Sequence, residues 1–333
     1  MREDKLNFGV IIRTFVSLLP VLFGVPLLAI ITCAYNIVMS FVVFGPLNAV
    51  ATSLCSVCIS MFIGEFTGAG GELYGFVIAI QAVLAAIGCI YGYLIKKKFS
   101  LGMYFSTAGI LIPQFMYIQS QAASNGLTVA EAIVPSVEEI KLIVQETLMT
   151  IPESEIPFGA YEVNLISFLT QKITKMMIPA AFIISSLVLA YIVVWAVSVQ
   201  LRKVPAGITH SFSHIKVSKS MSIVFLVLIN ALIVFMVLGY NLEIPESIYI
   251  VCLNMIMILA TICLFSGISF VDFYLRKAIR FTALRVLIYV GTMFAIPAVC
   301  IAYMLAGCVD GFADFRRLKK ITDKKGEFDE AEK

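Results

Sequence analysis

The chain has 333 residues, of which 60% are hydrophobic and 14% charged, with a formal net charge of +3. Soluble domains carry about 25% charged residues, so this balance excludes an ordinary soluble domain and indicates a polytopic membrane protein. No basic tract interleaved with aromatics points to nucleic acid, and the eight cysteines all lie in apolar stretches, which argues against a disulfide framework.

From Thr14 to Gly64 no residue is charged, and about fifty such positions make two long helices or three short ones at roughly 1.5 Å of rise each. Pro20, Pro26 and the pair Gly45-Pro46 are the expected breaks or kinks, because proline removes a donor from the helical ladder. The first apolar run reads as a retained span and not as a cleaved signal.

The stretch that organises the rest is 71–98, GELYGFVIAIQAVLAAIGCIYGYLIKKK. Its uncharged middle, 73–95, is long enough to cross a hydrocarbon core of about 30 Å. Gly71 and Gly75, then Gly88 and Gly92, are each four apart, with Ala79, Ala82 and Ala86 between. This small-xxx-small pattern predicts a helix-packing face. Lys96, Lys97 and Lys98 close the stretch and orient it, since basic residues accumulate in cytoplasmic loops. With Arg2, Lys5 and Arg13 on the same side, an even number of crossings must separate the two clusters, and three spans before Gly71 satisfy this.

Residues 99–118 are a fifth span, containing Pro113. The acidic segment 119–171 then holds seven glutamates against Lys141 and lies on the far side by the same rule. Thr128-x-x-Glu131 and Ser136-x-x-Glu139 fit the capping box at helix starts. Val137, Ile140, Ile143, Val144 and Leu148 recur at helical spacing, so amphipathic helices are expected, docked on the bundle or at the bilayer surface. The sixth span is 176–200, although Lys172 and Lys175 just before it depart from the charge rule. Residues 221–240, 247–274 and 286–309 are the seventh, eighth and ninth spans, the last containing Pro297. Nine crossings place the tail outside, yet its Arg316, Arg317, Lys319 and Lys320 favour the cytoplasm. The expected architecture is therefore an all-α transmembrane bundle of about eight to nine spans. It divides into sub-bundles 1–118 and 172–309, the insertion 119–171 and a charged tail 310–333.

Several polar residues interrupt this pattern. Gln81, Asn230 and Asn254 lie in the middle of spans, where an unpaired amide is costly. They must face protein or water, as packing groups or as ligand-binding candidates. Asp272 stands four residues before Arg276, the spacing of a local ion pair. Asp310 and Asp314 share a helical face with Arg317 beyond. With Arg316 these form a helix-end ion cluster or a docking site for a partner or ligand. Two carboxylates on one face also suit Mg²⁺ and a phosphorylated ligand. However, the DG-x-x-AR half of an alcohol-phosphatidyltransferase motif is missing. Cys55-x-x-Cys58 lies in an apolar helix with no base nearby, and His210 and His214 lack further ligands, so no metal site or cofactor is expected. HExxH, Walker, GxSxG and Rossmann patterns are absent, and no enzymatic activity is expected.

The closing segment AGCVDGFADFRRLKK, through Gly307, Asp310, Asp314, Phe315, Arg316 and Arg317, resembles the signature of the YybS family of bacterial multi-pass membrane proteins. GISFVDFYLRK at 267–277, IPAAFIISS from Ile178 and the glycine-rich helix before Lys96 are similar in kind. The resemblance implies an architecture distantly similar to the substrate-capturing membrane subunits of energy-coupling-factor transporters, and with it solute binding. Two functional readings follow. In the first, the protein binds a small solute within its bundle in the cytoplasmic membrane, with a separate ATPase docking on basic loops. In the second, it is a scaffold for envelope proteins without transport.

Overall fold

The computed structural model describes residues 9–22, 25–67, 71–134, 136–149, 160–201, 215–238, 246–279, 281–295, 297–313 and 315–316. Every regular element among them is helical. The long uncharged run divides into α1 (Gly9–Leu22), α2 (Pro26–Phe44) and α3 (Pro46–Thr67), with breaks at Pro26 and Gly45-Pro46 as expected, whereas Pro20 lies inside α1 and does not end it. Pro26 occupies the first turn of α2, where its missing N–H costs nothing. Gly45 turns the chain at φ 92°, a conformation open to glycine, and Pro46 starts α3. Six described helices are long and apolar enough to cross a membrane. The chain forms two compact units, Met1–Gln200 and Leu201–Lys333.

The first unit is built around α4 (Gly71–Cys89) and the π-helical turn Ile90–Ile95 that continues it into the lysines. Gly75 meets the backbone of Ser60 and Gly64 on α3. Gly88 and Gly92 instead meet α5 (Phe99–Ser124) at Phe105, Ser106, Leu101 and Gly102. The four glycines therefore do not serve one partner. At 100° per residue, the step from Gly75 to Gly88 rotates the helix to a face about 140° away, so two neighbours approach α4 at backbone distance. Gly109 of α5 returns the contact, with Leu84 and Ala85 about where its Cβ would go, 2.6 Å from the Leu84 carbonyl carbon. Two interhelical bonds add to the packing, Gln81 Nε2 to the Ile110 carbonyl at 3.0 Å and Ser106 Oγ to the Ala85 carbonyl at 2.7 Å. In hydrocarbon there is no hydrophobic drive between apolar faces, so close backbone contact and such bonds hold the helices together.

The acidic insertion is largely helical. α6 (Val129–Ile133) opens on a complete Thr128/Glu131 capping box, and Ser136 and Glu139 exchange the same bonds at the head of α7 (Val137–Met149). Ile140 is buried while Leu142 and Ile143 face outward. α8 (Ala160–Leu201) has 42 residues, about 63 Å of helix, twice the thickness of the hydrocarbon core. It thus begins well before the expected sixth span, and its first sixteen residues extend the helical insertion.

The second unit contains α9 (Lys219–Leu238), α10 (Glu246–Ala278), α11 (Thr282–Ala295) and α12 (Pro297–Ala313). Val217, Phe225, Leu259, Cys263 and Cys308 form its core. The expected ninth span is two helices. With 14 and 17 residues, they measure about 21 and 26 Å, each short of the roughly 30 Å core. Thr292 Oγ1 and the Tyr303 hydroxyl are 3.1 Å apart, whereas eleven residues of straight helix would separate them by about 16 Å. The chain therefore folds back on itself near Pro297. Both feet of this hairpin rest on the same end of α10: Arg285 reaches Asp272, and Arg316 reaches Ser269. The pair enters and leaves on one side, so it does not make the single crossing expected of a ninth span. Proline ended the helix where hydropathy alone continued it.

Gly267 and Gly307 let α10 and α12 touch. A Cβ on Gly267 would strike the Tyr303 carbonyl, and one on Gly307 would strike the Cys263 carbonyl. We expect Gly307→Leu to lower the unfolding midpoint in detergent, at a cost of about 1–3 kcal/mol for overpacking, while Gly291→Leu, in open space, leaves it nearly unchanged. Equal midpoints for the two variants would contradict this packing.

The cap of α6 makes a pH prediction. The backbone N–H of Thr128, and next its hydroxyl, hold the Glu131 carboxyl below its ordinary range. A lowered folded-state pKa means stabilisation present above the unfolded-state value and lost as pH falls through the folded one. Protection of the α6 amides, taken relative to the intrinsic exchange rate at each pH, is therefore expected to be highest at neutral pH and to fall under acid. Protection that rises on acidification, or that is the same in Glu131→Ala, would speak against the cap.

Candidate functional site

Two groups of polar residues stand out from the apolar helices, one in each unit. In the first unit a cavity of about 210 Å³ lies among α2, α4, α5 and α8. Its polar lining is Tyr74, Gln81, Gln114, Tyr117 and Ser185, and the rest is aliphatic side chain and Pro26. Gln81 is buried and donates to the Ile110 carbonyl, which fixes its amide plane and leaves the Oε1 acceptor on the same amide. The Tyr74 and Tyr117 rings are 6.0 Å apart and tilted by 49°. No charged side chain lines the cavity among the described residues. Such a wall can accept and donate hydrogen bonds but offers no counter-ion, which suits an uncharged solute. The volume is below the roughly 300–1,000 Å³ of sites for drug-sized ligands, so a solute of few heavy atoms fits.

The second unit gathers its charges at one end. Asp272 accepts from Arg276 Nε at 2.8 Å, from Arg285 Nη1 at 2.6 Å and from the Tyr289 hydroxyl at 2.9 Å. The expected Asp272–Arg276 pair is thus joined by two residues of α11. Beside it, Asp310 Oδ2 accepts from Arg316 Nε at 3.0 Å and Nη2 at 2.6 Å. The same guanidinium donates to Ser269 Oγ at 2.9 Å and to the Ile215 carbonyl at 2.8 Å. Asp310 is 0% and Arg316 2% exposed. One arginine therefore ties α12, α10 and the strand of chain entering α9, and its charge is matched by hydrogen bonds on several sides. A buried charge is tolerated when it is paired and bonded in this way. Asp314 and Arg317, singled out in the sequence, lie outside the described residues.

The remaining candidates are placed differently. Asn230 is exposed and donates to the Leu226 carbonyl of its own helix at 2.7 Å, and Asn254 is buried and donates to the Ile250 carbonyl at 2.8 Å. Neither lines the cavity around Gln81. All eight cysteines are free thiols; Cys58 is exposed and Cys55 intermediate. No group of three His, Cys, Asp or Glu side chains that could hold a metal occurs among the described residues. His210 and His214 lie outside them.

The sequence found Gln81 by its place in mid-span and the Asp272–Arg276 pair by its spacing, but missed Tyr74, Gln114, Tyr117 and Ser185 of the cavity and Ser269, Arg285 and Tyr289 of the ion cluster. The signal for Arg285 was a buried-looking arginine inside an apolar run. Ser269 and Ser185 are indistinguishable in sequence from the many serines that bond to their own helix.

Apolar helices of spanning length, glycine-mediated packing and buried charges confined to helix ends define a polytopic α-helical membrane protein. Within that class, the family described as "Predicted membrane protein (DUF2232)" matches residues 12–311, and the chain belongs to it. No curated protein and no solved structure matches the chain.

Replacing Arg316 by Leu leaves Asp310 buried with its charge uncompensated, which typically costs about 3–5 kcal/mol. Arg316→Leu is therefore expected to reduce folded protein sharply, while Arg316→Leu combined with Asp310→Leu recovers part of the loss. Unfolding in detergent measures both, and a double variant no better than the single one would show that the pair does not act as a unit.

Proposed function

We propose that this protein is a non-enzymatic membrane component that captures a small uncharged solute in the cavity around Gln81. The observation that carries the reading is the grouping of five hydrogen-bonding side chains from three helices around one void. Gln81 lies about 12 Å along the helix from Leu73, inside the bilayer, where ligand sites of transport proteins form. The resemblance of the 267–277 and closing segments to the YybS family supports the same reading, through that family's architectural likeness to substrate-capturing subunits of energy-coupling-factor transporters. Fold-level likeness is an analogy and adds weight only beside the cavity. The chain has no nucleotide-binding motif, so energy for transport comes from a separate ATPase docked on its basic loops in the cytoplasmic membrane.

A second reading, a scaffold for envelope proteins, draws on a different observation. Only 17% of the most apolar window of α10 is buried, and Asn230 shows an amide on an exposed face of α9. Both would be covered by a partner helix.

The two readings separate in one experiment. The purified full chain is screened by thermal unfolding against neutral metabolites, with Gln114→Leu and Gln81→Leu beside it. The solute reading expects a stabilising compound whose affinity falls roughly two- to tenfold in each variant, the worth of one hydrogen bond. Absence of any stabilising compound, together with a stoichiometric protein crosslinked to α9 or α10 in cells, would replace it with the scaffold.

A further inference from the structure

A second, larger void of about 500 Å³ lies between α5 and α8 beneath α6, on a different face of α5 from the cavity around Gln81. Its walls are apolar, and Lys175 is the sole charged group on them among the described residues. Ile112, Phe115 and Met116 belong to this wall and are also exposed on the outside of α5, at 55%, 49% and 64%. The void is therefore continuous with the hydrocarbon around the protein. Its depth matches a single leaflet. From Lys175 to Ile183, along the α8 wall, the helix rises about 12 Å, close to half of the roughly 30 Å core. Lys175 thus stands at headgroup level, at the end of α5 away from Lys96–Lys98.

From this we infer that the void holds one acyl chain of an anionic phospholipid whose headgroup is held by Lys175. The charge argues for the headgroup. Lys172 and Lys175 break the charge pattern of a segment otherwise rich in glutamate, and an anionic lipid gives Lys175 a use there. Glu131 is the acidic neighbour that faces it, through charge interaction from the head of α6. The Thr128 backbone and hydroxyl both donate to its Oε2, and the three N–H donors of a lysine ammonium let Lys175 face this carboxylate and still donate to a phosphate. A bound chain would also fill the space under α6, joining the insertion to the bundle through lipid. The site is independent of the solute cavity and its test does not involve it.

The test uses the full chain, delipidated in neutral detergent and titrated with phosphatidylglycerol or phosphatidylcholine, read by native mass spectrometry and thermal unfolding. We expect phosphatidylglycerol to bind about tenfold more tightly than phosphatidylcholine, and Lys175→Gln to reduce that preference to within about twofold. Ala130→Trp, which fills the void from α6, should lower retention of both lipids; Ile183→Trp serves if that variant does not fold. Lys172→Gln removes the same charge one turn away and should keep most of the preference. No headgroup preference in the wild type, an unchanged preference in Lys175→Gln, or equal loss in Lys172→Gln would overturn the proposal. So would tight binding of a polyprenyl phosphate that phosphatidylglycerol fails to displace.

Discussion

The structure rests on the absence of water around most of the chain. In hydrocarbon, each backbone N–H and C=O must be satisfied within its own helix, and one apolar helix has no solvent-driven reason to prefer another over lipid. What remains is van der Waals contact at the shortest distance that side chains allow, and a few hydrogen bonds between helices. The places where this chain holds together follow directly: Gly88 and Gly92 against α5, Gly75 against α3, and Gly267 with Gly307 where α10 meets α12. The interhelical bonds of Gln81 and Ser106 lie in the same contact zone.

Charge obeys the complementary rule. In the second unit, the start of α9, the end of α10, the start of α11 and the end of α12 converge, and the buried ionic groups Asp272, Arg285, Asp310 and Arg316 are all found there. The cluster closes the base of the hairpin, so the two short helices need not cross the bilayer to be stable. In the first unit the side chains that line the cavity around Gln81 are neutral. That difference in chemistry is why we propose solute capture for the first unit and read the charges of the second as structural fastening.

Much of this was legible in the sequence because lipid imposes a simple code. The helices, the breaks at Pro26 and Gly45, and both capping boxes followed from composition and short-range spacing. The paired glycines were visible too, but which helix each would meet was not, because the rotation between Gly75 and Gly88 matters only once neighbours are in place. The hairpin at Pro297 escaped because one 24-residue apolar run with a proline reads equally well as a kinked span. Tyr303 returning to Thr292 is a tertiary fact with no local mark. The ion cluster was half legible: Asp272 and Arg276 share a helical turn, whereas Arg285 reaches them across a chain reversal. Arg316 stands six residues beyond Asp310, a spacing that no helical face count pairs, so their bond was not legible in the sequence.

The account depends most on the convergence of those four helix ends. Single cysteines placed in a cysteine-free version, in segments 202–214, 239–245 and 318–333, can be labelled in intact cells and in inverted vesicles. Segments 202–214 and 318–333 are expected to react from the same side, and segment 239–245 from the opposite one. Segment 318–333 reacting together with 239–245 would mean that α11 and α12 form a single crossing, and the hairpin would have to be given up.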